Sequence, residues 1–260
     1  WGERRASKID DQLRLYGPLL EFGGFDLLIS ELPIFSARKL RRFYNIPWVI
    51  FNSLPLFSGT MGADLFLQAS IPEFEGEKAL KNLHFVGPFI DKSGISIPKW
   101  RKTSQIIHVT QGTVANSDNY LVETTKKALE SAYTVVSEPI SHSIWMPSFD
   151  IFITNGGFGG VSQAIYHGIP IIVAGDSEDK PIVAEKVEKA GIGINLRTAK
   201  PTIEQIETAV LVCLSNWEIK ANCKRLSEIA KSYDCSNAVH LIEEAWRKKQ
   251  SNSGIVSEEV

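Results

Sequence analysis

Short bursts of apolar residues alternate along the chain with longer stretches in which apolar positions recur every three or four residues. The bursts suit strands buried on both faces and the stretches suit amphipathic helices, so the alternation predicts an α/β protein built around parallel sheet. Phe25 to Glu31 (FDLLISE), Pro47 to Asn52 (PWVIFN) and Asn82 to Ile90 (NLHFVGPFI) read as strands, with SARKLRRFYN as a basic-faced helix after the first. Residues 91–104, DKSGISIPKWRKTS, lose the periodicity and gather Pro, Gly, Ser and Lys, which marks an interdomain linker. A second series then begins. Its strands are Ile106 to Thr113 (IIHVTQGT), YTVVS, Phe149 to Asn155 (FDIFITN), Pro170 to Gly175 (PIIVAG) and GINL. Its helices are NYLVETTKKALES, residues 161–167 and KPIVAEKVEKAG, in a doubly wound order. Three more helices close the chain, the first marked by a capping box of Thr202 with Gln205 and an apolar face of Ile203, Ile206, Val210 and Cys213. The predicted organisation is a first domain over 1–95, a second over 96–250 and a frayed tail over 251–260.

With 260 residues, 43% of them hydrophobic, the chain can bury one large core or two modest ones. Its 28 basic residues against 30 acidic ones give no electrostatic case for nucleic acid or an anionic membrane surface, so a small or neutral partner is expected. No apolar run approaches the roughly 18 residues that cross a bilayer, and the start, WGERRASKIDDQ, has charges where a signal peptide needs an apolar core. No integral membrane segment and a cytoplasmic location are therefore expected. Cys213, Cys223 and Cys235 are an odd set spread through helical patterns and fit neither a disulfide framework nor a zinc site.

Candidate chemistry concentrates in residues 153–170, ITNGGFGGVSQAIYHGIP, where NGGFGG places four of the chain's 19 glycines between an apolar run and a helical one. Glycine costs folding entropy, so such a cluster marks backbone that turns sharply or approaches something closely. In an open α/β sheet, ligands lie at the carboxyl ends of strands, where a helix start offers unpaired N–H groups and the positive end of its dipole. Anion binding and a tight turn packed on the sheet are both compatible with the spacing. The familiar nucleotide loops are not, since the Lys-Ser/Thr of a P-loop is missing and the pattern is not G-x-G-x-x-G after a first strand. Gly160-Val161-Ser162-Gln163-Ala164 approaches the G-x-S-x-G of serine hydrolases, but Ser162 falls past several glycines, inside the helix.

IIHVTQGTVAN followed by MPSFDIFITNGGFGGVSQAIYHGIPIIVAGDSEDKPIVAEKVEKAGIGINLRT resembles the nucleotide-sugar-binding domain of family 1 glycosyltransferases, UDP-dependent enzymes of GT-B fold. It looks closest to the small-molecule glucosyltransferases of microbes, related to macrolide and sterol glycosyltransferases. The likeness covers residues 105–250 well and 15–90 more loosely, where PWVIFNSLPLFSG and NLHFVGPF look like the latter half of an acceptor domain. It implies a complete-looking Rossmann-like donor domain over 96–250 and a partial Rossmann-like acceptor domain over 1–95.

The resemblance also implies roles for individual residues. Asn155 stands where most members have a histidine facing the diphosphate, and its amide can donate a hydrogen bond but brings no charge. Gly156, Gly157, Gly159, Gly160 and Val161 would offer backbone N–H groups to the phosphates, with Gly159 and Gly160 replacing the common Asn and Ser ligands. Gly112 and Thr113 resemble a Gly-Ser/Thr that lies against the phosphates. Gln163 replaces a glutamate that accepts both ribose hydroxyls, with less charge assistance. Asp179 and Lys180 match an Asp-Gln pair that holds the sugar, and His142, in PISHSIWMP, falls in the loop that covers the uracil. Plainer uses stay open: Thr113 capping a turn, Gln163 solvated on a helix, Asp179 capping the helix after it. His108 and His167 are read as structural.

The implied reaction transfers a hexose, glucose by the family's commonest choice, from a UDP-sugar to a hydroxyl of a small lipophilic acceptor, with inversion. No metal is implied, and no cofactor beyond the UDP-sugar as co-substrate. Two departures weigh on this. The family's general base is a histidine, often in G-H-x-x-P, yet the earliest histidine here is His84, so the base-bearing segment is expected upstream of Trp1. Between YTVVS and EPISH the family carries more chain, including a strand. They leave open a second reading, a non-catalytic or degenerate nucleotide-sugar-binding protein.

Overall fold

The computed structural model of the chain describes residues 25–31, 39, 41, 46–56, 62–76, 80–90, 104–112 and 119–254. The chain divides into two compact units: Trp1–Ala69 with Lys78–Val86 and Asp234–Val260, and Ser70–Glu77 with Gly87–Tyr233.

In the first unit, β1 (Leu28–Ser30), β2 (Trp48–Asn52), β3 (Leu65–Gln68) and β4 (Leu83–Phe85) form a parallel sheet in that order. Trp48, Ile50 and Phe66 bury on one face, and Val49, Leu65 and Leu67 on the other. Burial on both faces is why WVIFN reads as a continuous apolar run instead of an alternating one. β3 was not foreseen, since four residues between turn signals carry too little pattern to separate a strand from a connection. The predicted helix SARKLRRFYN and the linker 91–104 fall almost wholly outside the described residues.

The second unit begins with the short helix α1 (Pro72–Glu75) and continues through β5 (Ile106–Thr110), α2 (Tyr120–Leu129), β6 (Thr134–Val136) and α3 (His142–Trp145). After a 3-10 turn at Met146–Ser148 come β7 (Ile151–Thr154), α4 (Phe158–His167), β8 (Ile171–Val173), α5 (Lys180–Lys189) and β9 (Gly193–Asn195). The helices α6 (Ile203–Ser215) and α7 (Trp217–Ser232) complete it. Its five strands are parallel in the order β6-β5-β7-β8-β9. The winding therefore reverses between β5 and β7, which opens a crevice at their carboxyl ends. Ile107, Val109, Ile151, Phe152 and Ile153 form the centre of the core, covered by Leu121, Val161, Ile165, Val183 and Val210. The predicted capping box starts α6, with Gln205 N–H donating to Thr202 Oγ1 (3.2 Å) and Thr202 N–H to Gln205 Oε1 (2.9 Å).

Two boundaries move. The last helix, α8 (Asn237–Gly254), runs into the predicted tail 251–260 and packs Ala238, Leu241, Ile242 and Ala245 against the first unit's sheet, not the second's. The segment Ser70–Glu77 goes the other way: Phe74 packs on Phe158 (ring centroids 6.4 Å apart), and the buried carboxylate of Glu75 pairs with Lys186 of α5 at 2.9 Å. Amphipathic patterning shows that a helix has an apolar face but not which sheet receives it. No described helix is long and apolar enough to cross a membrane. The three cysteines are free, and burial pushes the Cys213 and Cys223 thiols up to about 12.

Candidate active site

β5 and β7 end side by side at the winding reversal, and the loops that leave them carry Gln111-Gly112 and Asn155 to Gly157. Gly156 has φ 95°, and a Cβ there would lie 2.8 Å from Cγ1 of Val173 on β8, so a side chain fits neither the dihedral nor the space. Gly175, at the end of β8, faces the same turn, where a Cβ would come 1.9 Å from the carbonyl oxygen of Asn155. These two glycines let the loops after β7 and β8 press together. α4 then starts at Phe158, three residues before the predicted start at 161, so Gly159 and Gly160 sit in its first turn. Poor intrinsic helix propensity is overridden there by burial of Phe158 and Val161 in the core.

An account of the amides narrows the predicted run of bare backbone. Gly156 N–H donates to Thr154 Oγ1 (3.2 Å), Gly157 N–H to Asn155 Oδ1 (3.3 Å), and Val161 N–H to the Gly157 carbonyl (3.1 Å), closing the first helical bond. The amides of Phe158, Gly159 and Gly160 precede that bond and point out of the helix start. Gly159 is exposed, and a Cβ there would meet nothing within 4 Å. Packing does not demand glycine at that position. Asn155, in contrast, is only 6% exposed. Its Nδ2 donates to the carbonyl of Gln111 and its Oδ1 accepts from Gly157, so the side chain ties the β5 loop to the β7 loop. Gly112, at φ 85°, packs against that amide. The sequence reading pointed the Asn155 amide at a diphosphate; in the fold one of its two Nδ2–H donors and its Oδ1 are taken by Gln111 and Gly157. Thr113 lies outside the described residues.

Beside the glycine turn is a cavity of about 250 Å³ whose walls include Gln111, Asn155, Gly175, Asp176, Glu178 and Lys180. Asp179 occupies the N-cap position of α5 without making a side-chain cap bond, and its neighbours Asp176 and Glu178 line the cavity. Glu178 takes φ 57°, a left-handed conformation uncommon for its residue type, and its carboxylate pairs with the Lys180 ammonium. A cavity of about 280 Å³ in the first unit, walled by Asp64, His84 and Glu244, opens at the amino ends of β2 to β4, the end of the strands opposite to that where such sheets hold ligands.

His142 begins α3, and its Cε1 lies 3.6 Å from where a Gly160 Cβ would be, so the ring stands beside the first turn of α4. Its Nε2 is 3.1 Å from Nε2 of His108, whose Nδ1 is 2.9 Å from the Val136 carbonyl. His108 is 1% exposed and stacks on Phe149 and Phe152, with ring centroids 4.9 and 5.4 Å away. Burial lowers the His108 pKa to about 4 and depresses that of His142 in the same direction, so both rings are neutral at pH 7.

Residues 133–243 match the family described as erythromycin biosynthesis protein CIII-like, C-terminal domain. The chain is 30% identical to UDP-glucosyltransferase A1 of Starmerella bombicola over 71% of its own length and 46% of that protein's. It is 32% identical to 4'-demethylrebeccamycin synthase of Lentzea aerocolonigenes, over 69% of the chain and 49% of the relative. The spinosyn rhamnosyltransferase solved with thymidine diphosphate superposes with a TM-score of 0.78 at 17% identity, covering 93% of this chain and 79% of that one. The calicheamicin glycosyltransferase CalG4 gives 0.78 at 16% identity, over 95% and 82%. Residues 133–243 thus match an erythromycin biosynthesis protein CIII-like C-terminal domain, the chain's relatives include UDP-glucosyltransferases of family 1 type, and its fold is that of the GT-B glycosyltransferases.

The chain spans about half the length of the relatives it matches. Of the residues that the family resemblance singles out, Gly112, Asn155, Gly156 and Lys180 meet around one loop cluster, and Gly160 and His142 meet beside it. Gln163, matched to a ribose ligand, donates through Nε2 to the Phe89 carbonyl (3.0 Å), and its Oε1 is buried without a protein partner. Ser162 is buried within α4, which removes the hydrolase resemblance. Sequence reasoning missed Gln111, Gly175, Asp176 and Glu178 as cavity residues. A usable signal existed only for Gly175, which follows an apolar run as Gly156 does; the polar residues beside it look like any exposed turn.

Proposed function

We propose that this chain binds a UDP-sugar at the start of α4 and transfers its hexose, glucose in the first instance, to a hydroxyl of a small lipophilic acceptor. One observation carries the reading. The amides of Phe158, Gly159 and Gly160 precede the first helical bond of α4 at the reversal of winding, a Cβ at Gly159 would meet nothing within 4 Å, and a cavity of about 250 Å³ walled by Asn155 and Gly175 adjoins the turn before them. As the glycosidic bond breaks, charge grows on the β-phosphate, and preorganised amides at the positive end of a helix stabilise it with no reorganisation. In this reading Gly112, Thr113 and the 156–160 backbone border the diphosphate, with Asn155 holding that backbone in place. Gln163 meets the ribose, His142 the base, and Asp179 and Lys180 the sugar. The transfer is inverting and needs neither a metal ion nor a further cofactor, since the amides and the dipole take the place of a bridging cation. Relatives named as UDP-glucosyltransferases support uridine and glucose, and a neighbour solved with thymidine diphosphate supports a site for a pyrimidine nucleotide.

Isothermal titration of the purified chain with UDP, with and without EDTA, tests the site: saturable binding unchanged by chelation is expected, and no heat at millimolar UDP overturns the reading. UDP-glucose offered with a panel of lipophilic alcohols and phenols tests the reaction. Release of UDP that depends on the acceptor identifies a transferase, whereas binding without release identifies a nucleotide-sugar binder.

A further inference from the structure

The corner where α6 turns into α7 leaves large apolar side chains in solvent. The inner face of α6 buries Ile206, Ala209, Val210 and Cys213, which accounts for the apolar stripe that the core needs. Outside that stripe Leu211 is 59% exposed and Val212 39%, and Trp217, the first residue of α7, is 73% exposed. Asn216 Oδ1 caps α7 by accepting from the amides of Glu218 (2.8 Å) and Ile219 (3.3 Å), and Ile219 makes the core contact, so neither the cap nor the core uses the indole. The charges around this apolar surface are of one sign. α6 carries Glu204 and Glu207, both exposed, and no basic residue, and Glu218 adjoins Trp217. None of these three carboxylates is in an ion pair among the described residues. Lys220 turns its ammonium to the Leu214 carbonyl at the end of α6, and Lys224 and Arg225 lie about two turns along α7.

We propose that this corner is a docking surface for another protein, one that presents aliphatic side chains flanked by lysine or arginine. Large apolar side chains bordered by charged ones have the make-up of an interface core and its rim, and tryptophan is among the commonest anchors of such a core. The charge selects the partner. A second copy placing this surface on itself in a two-fold contact would set Glu204, Glu207 and Glu218 against the same three carboxylates, and an anionic membrane would repel them. A cationic amphipathic segment complements both the apolar surface and its border. None of the docking residues lines the cavity beside the glycine turn, so the inference stands apart from the proposed nucleotide site.

Fluorescence anisotropy of two labelled peptides with the full chain tests this: an amphipathic helix of leucine and lysine, and the same helix with glutamate in place of lysine. The lysine peptide should bind saturably and the glutamate peptide should not. Trp217→Ser should weaken binding of the lysine peptide by about tenfold or more, and Glu204→Lys combined with Glu207→Lys should reverse the preference between the peptides. These variants change exposed side chains alone, so their melting temperatures and UDP titrations should match those of the wild type, which separates loss of docking from loss of the fold. Equal binding of the two peptides, no binding of either, or an affinity that either variant leaves unmoved overturns the proposal. A concentration-dependent dimer in analytical ultracentrifugation that Trp217→Ser dissociates also overturns it, since a second copy would then be the occupant.

Discussion

Replacing Gly159 with aspartate should raise stability and abolish nucleotide binding, two effects of opposite sign from one side chain. The position is exposed in the first turn of α4, and a Cβ meets nothing within 4 Å, so the folded chain admits the new group without repacking. Removing a helical glycine recovers up to about 0.5–1 kcal/mol, and an acid at a helix N-terminus adds about 0.3–1 kcal/mol. Aspartate's own weak helix propensity offsets part of this, leaving a net gain of about 1 kcal/mol. At about 2–4 °C per kcal/mol for a chain of this size, Tm should rise by a few degrees. The same carboxylate would stand where a phosphate has to sit. Two charges about 5 Å apart at an effective dielectric of about 20 repel by roughly 3 kcal/mol, which weakens binding on the order of a hundredfold for each phosphate charge so placed. Gly159→Asn, of equal size but uncharged, is the control and should keep binding. Thermal melts and UDP titrations of the three proteins decide it: a Gly159→Asp chain that binds UDP as the wild type does would falsify the placement of the phosphates at this helix start.

Asn155→Ala removes the tie between the β5 and β7 loops, and with two hydrogen bonds lost in a buried setting it should cost about 1–3 kcal/mol in urea denaturation; no change in the unfolding midpoint would mean that the loops hold without it. Stability should fall as the pH drops from about 6.5 towards 4, because the unfolded chain takes up protons on His108, His142 and His167 that the folded chain refuses, with His108 alone contributing on the order of 3 kcal/mol. Above that window these three groups impose no slope, and urea midpoints that stay flat from pH 7 to 5 refute their burial as neutral rings. Glu75→Gln leaves the Lys186 ammonium beside a neutral amide and should destabilise by about 3 kcal/mol, while adding Lys186→Met should recover part of the loss. A double-mutant cycle with no coupling would dismiss the pair as a support for α1.

The class of the fold was readable because strands buried on both faces and helices with one apolar stripe leave different periods over neighbouring residues. Ile151 to Thr154 and Ile171 to Val173 announced themselves as uniformly apolar bursts, and the Thr202–Gln205 cap was visible because both partners lie within one turn. β3 was missed for the same reason in reverse: LFLQ is too short to establish a period.

What the chain's order of residues determined was local: the α/β alternation, the crowded glycines after β7, and a start for α4 within three residues of its true place. Tertiary structure decided which amides remain outward, because the partners that take the others were unknown until the helix start was placed. It also decided that Asn155 reaches back 44 residues to Gln111. His108 pairs with His142 across 34 residues, and Ala238, Leu241 and Ile242 bury against the first sheet, not the second. The physical reason is one of range. Periodicity and caps arise between residues a turn apart, whereas the partner of a buried polar group depends on which strands the sheet sets side by side, and that is decided only when the whole core packs.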